Sequence, residues 1–325
     1  ALVSSPDYNP NILNKTENGS PYPKEKQKDA PLFNRAISGS YPPASTIKPF
    51  LGLLGLEERA IDVDTIIKDE GVFQINGEGR KYRGWKEEGH GEVNLHKAIV
   101  ESSDVYFYEL ASKLTIDKIS HFLSLFNFGK NTGIDINNES PSILPDRNWK
   151  LGNIGETWFV GDTVNMGIGQ GYIAVTPIQL ASSVSAIATK GKIFKPKLVE
   201  RLGDQDIEPE LLFSIELNKK ENWETIEKSM IAVINSWNGT AHNLYKEGGL
   251  KIAGKTGTAQ IKSLVDQELT VQEEYEGIRK IEKNRDHALF VSYGPLPNPN
   301  LTVVVIVENG ESGSAIAAPI AMKLM

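Results

Sequence analysis

Apolar and polar positions follow two different patterns along this chain. Residues 93–128 read as consecutive helices. Asn94 is a candidate N-cap, the pattern breaks at Ser102-Ser103-Asp104, and Asp104 is placed to cap a helix from Val105 to Leu114. Thr176-Pro177 opens another helix through the small, apolar run Ile178 to Ala188, so the middle of the chain, about 60–190, is expected to be a helical lobe. After residue 250 the pattern becomes strand-like at Leu250 to Ile261, Ala288 to Tyr293 and Leu301 to Glu308, and Ser314 to Met325 suggests a closing helix.

The N-terminal 44 residues carry repeated turn formers, including Asn9-Pro10, Ser20-Pro21 and Pro42-Pro43, and a charged run from Lys24 to Asp29. They read as one short strand followed by irregular chain. That strand and those after residue 250 are expected to share a sheet, giving a sheet lobe from about 1–44 and 250–325. The acidic stretch around Gln267 to Glu276 reads as a solvated excursion between two strands. The first clear helix signal follows Pro43, with Ser45 at its start and Pro49 tolerated in the first turn, where amides have no carbonyl partner.

Composition narrows the function classes. The chain has 325 residues, 39% hydrophobic and 24% charged, which fits one large α/β catalytic unit with two lobes. A net charge of -7 offers no basic surface for phosphate backbones, so nucleic acid is not an expected partner. With no cysteine there is no disulfide, thiolate nucleophile or Cys-type zinc site, and the five histidines show no H-E-x-x-H pairing. No cofactor is indicated, no stretch of about 18 apolar residues exists, and the start lacks the pattern of a signal peptide.

The chemistry lies in three short motifs. A serine hydroxyl is a poor nucleophile until a base takes its proton, and a helix offers one at i+3. Ser45-Thr46-Ile47-Lys48 has that spacing, and a helix start gives Ser45 a free backbone N–H for an oxyanion. Lys48 can act as base only when neutral, which requires burial or a cationic neighbour such as Lys255. One S-x-x-K is expected by chance in about this length, whereas Lys255-Thr256-Gly257 has a chance expectation of roughly one in ten and sits in a strand-like segment. Among the S-x-[DN] matches, Ser102-Ser103-Asp104 alone falls between two helices after the nucleophile and before the strand. On a pleated strand Lys255 and Gly257 face one way and Thr256 and Thr258 the other, so a substrate along the edge meets both, with Gly257 leaving room for its backbone. S-x-x-K, S-D-N and K-T-G in this order mark penicillin-binding proteins and class A β-lactamases.

Tyr41-Pro-Pro-Ala-Ser-Thr-Ile-Lys-Pro49, Gly161-Asp-Thr-Val-Asn165, Gly169-Gln-Gly171, Thr176-Pro-Ile-Gln-Leu180 and Gly254-Lys-Thr-Gly-Thr-Ala259 resemble class B penicillin-binding protein transpeptidases over essentially the whole chain. The subgroup resembled most is penicillin-binding protein 2, the elongation-specific enzyme. The resemblance implies an α/β fold of α+β type, the penicillin-recognising serine transpeptidase or β-lactamase-like fold, with an antiparallel sheet flanked by helices plus a helical lobe. It implies Ser45 as nucleophile toward the penultimate D-alanine of a peptidoglycan stem peptide, Lys48 as base, Ser102 as proton shuttle and Asp104 as a partner of Lys48. Lys255, Thr256 and Thr258 would hold the terminal carboxylate, and the amides of Ser45 and Thr258 would form the oxyanion hole. β-Lactam antibiotics would acylate Ser45. The resemblance also implies a SEDS-family glycosyltransferase partner, a place at the periplasmic face of the bacterial inner membrane, and a pedestal domain and anchor upstream of this chain.

Two departures matter. Many relatives have Asn where this chain has Asp104, and an ionised carboxylate cannot donate a hydrogen bond. Some members of the subgroup bind zinc through two Asp, one His and one Cys; Asp69 and His90 match, but Gly84 and Ser103 replace the others, so no zinc is expected. A β-lactamase would need a second base, and no E-x-x-L-N follows the second motif. A D,D-carboxypeptidase using the same motifs, and a β-lactam sensor or scaffold, remain as alternatives.

Overall fold

The computed structural model describes residues 1–9, 30–77, 79–262 and 271–325. Its helices are α1 Arg35–Ser38, α2 Lys48–Glu57, α3 Leu95–Val100, α4 Asp104–Lys113, α5 Ile116–Leu125, α6 Arg147–Ile154, α7 Val160–Met166, α8 Pro177–Ala188, α9 Glu221–Asn235, α10 Val271–Arg279 and α11 Ala318–Leu324. The strands are β1 Ile67–Asp69, β2 Val72–Gln74, β3 Lys81–Arg83, β4 Gly91–Val93, β5 Lys192–Phe194, β6 Arg201–Leu202, β7 Gln205–Asp206, β8 Leu211–Ser214, β9 Ala253–Ala259, β10 His287–Gly294 and β11 Leu301–Val307.

The antiparallel sheet expected after residue 250 is present, in the order β11-β10-β9. Phe290 of β10 stands opposite Thr256 on one side and Val305 on the other. Leu289 to Tyr293 on β10 are all fully buried, because helices cover both faces, and apolar residues at consecutive positions satisfy both. The expected N-terminal strand is a correction. Residues 1–9 and 30–44 add no strand to this sheet, and the only pairing there is an isolated bridge from Tyr41 to Val175. Pro6, Pro31, Pro42 and Pro43 each lack the N–H that a ladder requires. Most of the turn-rich stretch lies outside the described residues.

The helical lobe contains α2 at its centre, and Phe50 meets Phe126 and Phe128 edge-on at 5.0 and 5.4 Å. Within the span predicted as helical, residues 67–93 instead form two small antiparallel pairs, β1 with β4 and β2 with β3. Gly71, Gly89 and Gly91, all at positive φ, break any helical run there. Helix α9 joins the two lobes, packing on β9 with one side and on α2 and α3 with another. Its buried Trp223, Ile226, Met230, Val233 and Ile234 follow a helical repeat. Each such burial contributes about 1.5–3 kcal/mol. Among the described residues, no helix is long and apolar enough to cross a membrane.

Candidate active site

The nucleophile position is built from a tight turn. Ala44–Ile47 form one turn of 3-10 helix before α2 begins at Lys48, so the α-helix starts three residues later than the sequence suggested. In a 3-10 turn residues i and i+3 eclipse, which keeps Ser45 and Lys48 on one side. The turn is pinned from below: Ala44 N–H donates to the Gly169 carbonyl at 3.0 Å. Gly169 is obligatory here, since it has φ +71 and a Cβ would fall 2.3 Å from the Ala44 carbonyl oxygen. Ser45 faces the cleft, while Lys48 is fully buried beneath it.

The second motif differs from the sequence reading in one detail that changes its chemistry. Ser103, not Asp104, caps α4, its side chain accepting from Tyr106 N–H at 3.1 Å. Asp104 is thereby free to turn inward, and Lys48 Nζ donates to its Oδ1 at 2.7 Å. Lys48 Nζ also donates to the Ser102 carbonyl at 2.8 Å and reaches Ser102 Oγ at 3.3 Å. Ser102 has φ +59, a conformation that costs a non-glycine residue about 1–3 kcal/mol. Lys255 comes from the opposite side and places Nζ 2.9 Å from Ser102 Oγ and 3.1 Å from the Thr256 carbonyl. The Ser102 hydroxyl therefore bridges two amines. It accepts from a protonated one and donates to a neutral one.

Burial dominates the electrostatics of this pair. It lowers the pKa of the Lys48 ammonium, and the Asp104 carboxylate opposes it. Lys255 is pushed well below the ordinary lysine value, first by burial and then by repulsion from Lys48. The sequence assigned that repulsion to Lys48. It falls on Lys255 because Lys255 lacks a carboxylate in contact, whereas Lys48 has one at 2.7 Å.

The third motif occupies β9, the edge of the sheet among the described residues. Gly257 lies against the nucleophile turn, and a Cβ there would come within 2.9 Å of Thr46 Cγ2. Gln170 Nε2 donates to the Thr258 carbonyl at 3.4 Å, so that carbonyl points away from β10. In an antiparallel strand the N–H of the same residue points the same way, which leaves the Thr258 amide directed at the cleft. Thr256 Oγ1 pairs with Thr240 Oγ1 at 2.8 Å. Ser45, Ser102, Asp104, Thr256, Gly257 and Thr258 all line one cavity of about 710 Å³. Its lining mixes charges: Glu87, Glu88 and Glu311 stand beside Arg83 and Lys86, Glu311 pairs with Arg285 at 3.0 Å, and the buried Asp286 is pushed up to about 6 by burial.

The sequence model of the penicillin-binding protein transpeptidase domain matches residues 1–325. The chain belongs to this family. The transpeptidase domain is 38% identical over 330 residues to the peptidoglycan D,D-transpeptidase MrdA of Haemophilus influenzae, a match that takes in 100% of this chain and 50% of that protein. It is 35% identical to the Escherichia coli K12 MrdA, over 97% of this chain and 50% of that protein. The transpeptidase domain thus spans about half the length of these curated relatives. Among solved structures, Pseudomonas aeruginosa PBP2 in complex with WCK 5153 superposes with a TM-score of 0.84 at 36% identity, covering 99% of this chain and 69% of that one. PBP2 of Helicobacter pylori in complex with MreC gives 0.78 at 32%, over 93% and 54%. The α/β penicillin-recognising fold read from the sequence is the fold these structures share with the transpeptidase domain.

The residues that match a zinc site elsewhere in the subgroup do not fit a metal in this transpeptidase domain. Asp69 Oδ2 receives Ser103 Oγ at 2.6 Å and lies 2.7 Å from His90 Nδ1. Two ligands already bonded to each other, with Ser103 and Gly84 as the others, cannot close a tetrahedral shell. The acidic excursion lies between β9 and β10, and no residue of its described helix is fully buried, as the sequence suggested. Its described part, α10, packs over the cleft, where Arg83 pairs with Glu274 at 2.6 Å and Val271 N–H donates to Glu87 Oε1 at 2.8 Å. Sequence reasoning missed Trp85, Gln170, Thr240 and Tyr275 as cavity residues. Only Gln170, within Gly169-Gln-Gly171, carried a local signal.

Proposed function

We propose that this chain is the catalytic domain of a peptidoglycan D,D-transpeptidase that cross-links stem peptides through an acyl-enzyme on Ser45. The observation that carries the reading is the continuous chain from Asp104 through Lys48 and Ser102 to Lys255, lying directly below an open cavity that Ser45 lines. Family membership and the naming of the MrdA relatives support it.

The residues take these roles. Ser45 Oγ attacks the carbonyl of the penultimate D-alanine as its proton passes to neutral Lys48. The N–H groups of Ser45 and Thr258 hold the oxyanion. Collapse of the tetrahedral intermediate breaks the peptide bond, and Ser102 relays a proton from the lysine pair to the departing D-alanine amine. An amine of a neighbouring stem then attacks the ester, its proton returns through Lys48, and Ser45 is released. Thr256 and Thr258, which line the cavity, hold the donor's terminal carboxylate with Lys255 buried behind them, and Gly257 lets the substrate backbone approach. A β-lactam follows the first half only, because its leaving nitrogen stays tethered to the acyl group. In the cell the domain acts at the periplasmic face of the bacterial inner membrane, alongside a SEDS-family glycosyltransferase that supplies the glycan strands. The complex of its Helicobacter pylori relative with MreC supports a place in a multiprotein assembly.

Intact-protein mass spectrometry after incubation with a fluorescent penicillin tests the reading. A single stable adduct on wild type and none on Ser45→Ala is expected. No adduct on folded wild type overturns the acyl-enzyme. Product analysis with a stem peptide and an amine acceptor should give the cross-linked dimer, and hydrolysis alone would mark a carboxypeptidase.

A further inference from the structure

Ser102 keeps its left-handed backbone in the middle of the site, and such a conformation persists only where the surroundings over-determine it. The stretch from Asp69, the last residue of β1, to Trp85 makes one bond to each residue of the second motif. The Trp85 indole N–H donates to the Ser102 carbonyl at 3.1 Å, the same oxygen that accepts Lys48 Nζ. Ser103 Oγ donates to Asp69 Oδ2 at 2.6 Å. The Trp85 backbone N–H donates to Asp104 Oδ2 at 3.0 Å, which leaves Oδ1 directed at Lys48. His90 ties the two supports together, with its Nδ1 against Asp69 and its ring edge-on to Trp85 at 5.5 Å.

Trp85 is 53% exposed, so burial does not explain its place. Both of its N–H groups serve the same turn. We propose that Trp85, backed by Asp69, is a positioning residue for acyl transfer: it clamps the Ser102–Asp104 turn so that the Ser102 hydroxyl stays between the two lysine amines. The clamp rests on the acyl-transfer reading for its catalytic meaning, but its mechanical claim stands apart from it. Clamping acts on the chemical step, because it fixes the groups that move protons, whereas a cavity wall acts on binding.

Trp85→Phe keeps an aromatic ring and removes one N–H, and a half-exposed position should leave the melting temperature close to wild type. In the free protein, hydrogen exchange over residues 101–106 should quicken in the variant. Unchanged exchange overturns the clamp whether or not the protein reacts with penicillin. In the concentration dependence of penicillin acylation, the maximal rate should fall about ten-fold, the worth of one ordinary hydrogen bond, with half-saturation unchanged. A wild-type maximum with weaker half-saturation makes Trp85 a wall of the cleft and overturns the proposal. Wild type inert to penicillin sinks the transpeptidase reading instead, and exchange then decides the clamp alone.

Discussion

Lys48 is subject to two opposing influences, and Asp104 is the one that can be removed cleanly. Burial drives the amine toward its neutral form, and the carboxylate 2.7 Å away favours the protonated form. Acylation requires the neutral amine, so the rate should fall in acid. In Asp104→Asn burial is opposed far less, by the Asp69 carboxylate, so the amine loses its proton at lower pH and the acid limb of the acylation profile moves to lower pH. The maximal rate should also drop, roughly ten- to hundred-fold, because a charge-assisted hydrogen bond that orients Lys48 is weakened. An unshifted limb, measured with a labelled penicillin across pH, would contradict the role given to Asp104. Ser45, Lys48, Ser102 and Lys255 were legible in the sequence because each belongs to a motif whose spacing reflects local geometry. Trp85 and Thr240 were not, since each reaches the cleft by tertiary packing from a segment without a pattern of its own. The exchange of Ser103 for Asp104 as helix cap shows the limit of reading caps from residue type, because both residues are good caps and the buried lysine decides between them.

At the level of elements, β9 and the nucleophile turn fit only because Gly257 has no side chain. Gly257→Ala would place a methyl 2.9 Å from Thr46 Cγ2 and 3.2 Å from Leu289 Cβ, atoms of two different elements. The strand must move off the turn by a few tenths of an ångström. Misplacement of reacting groups on that scale should lower acylation roughly ten- to hundred-fold while the far-UV spectrum is kept. Wild-type acylation rates in a folded variant would show that the approach is looser than the structure has it. The strands of this sheet and helices α3, α4 and α8 were legible, as runs with clear periods and caps. Helix α9 and the small pairs of residues 67–93 were not, because the first lies in a span with no strong start signal and the second consists of three-residue strands. Pairs that short owe their existence to the helices they pack on, α4 above all.

At the level of the whole molecule, one hydrophobic core runs through both lobes, from Phe50 and Phe107 to Phe290 and Val303. The site sits at that junction, so the lobes are held together by the same packing that holds the motifs in register. The surface tells a different story from the interior. The chain carries a net charge of -7, and the cavity lining mixes Glu87, Glu88 and Glu311 with Arg83 and Lys86, above two fully buried lysines. A ligand that ends in a carboxylate meets the chain's net negative charge on approach, and local cations such as Arg83 and Lys86 act on it only within a Debye length of about 8–10 Å. Capture is therefore a short-range event, not long-range steering. Added salt should then quicken the second-order reaction with an anionic penicillin, by roughly two-fold between low and physiological ionic strength, where a steered enzyme would slow. Stopped-flow rates across a sodium chloride series would read this directly, and a falling rate would reverse it. A cavity of mixed charge above two buried amines, in a chain of net negative charge, favours anions delivered close by, at high local concentration, over those that wander in from bulk solution.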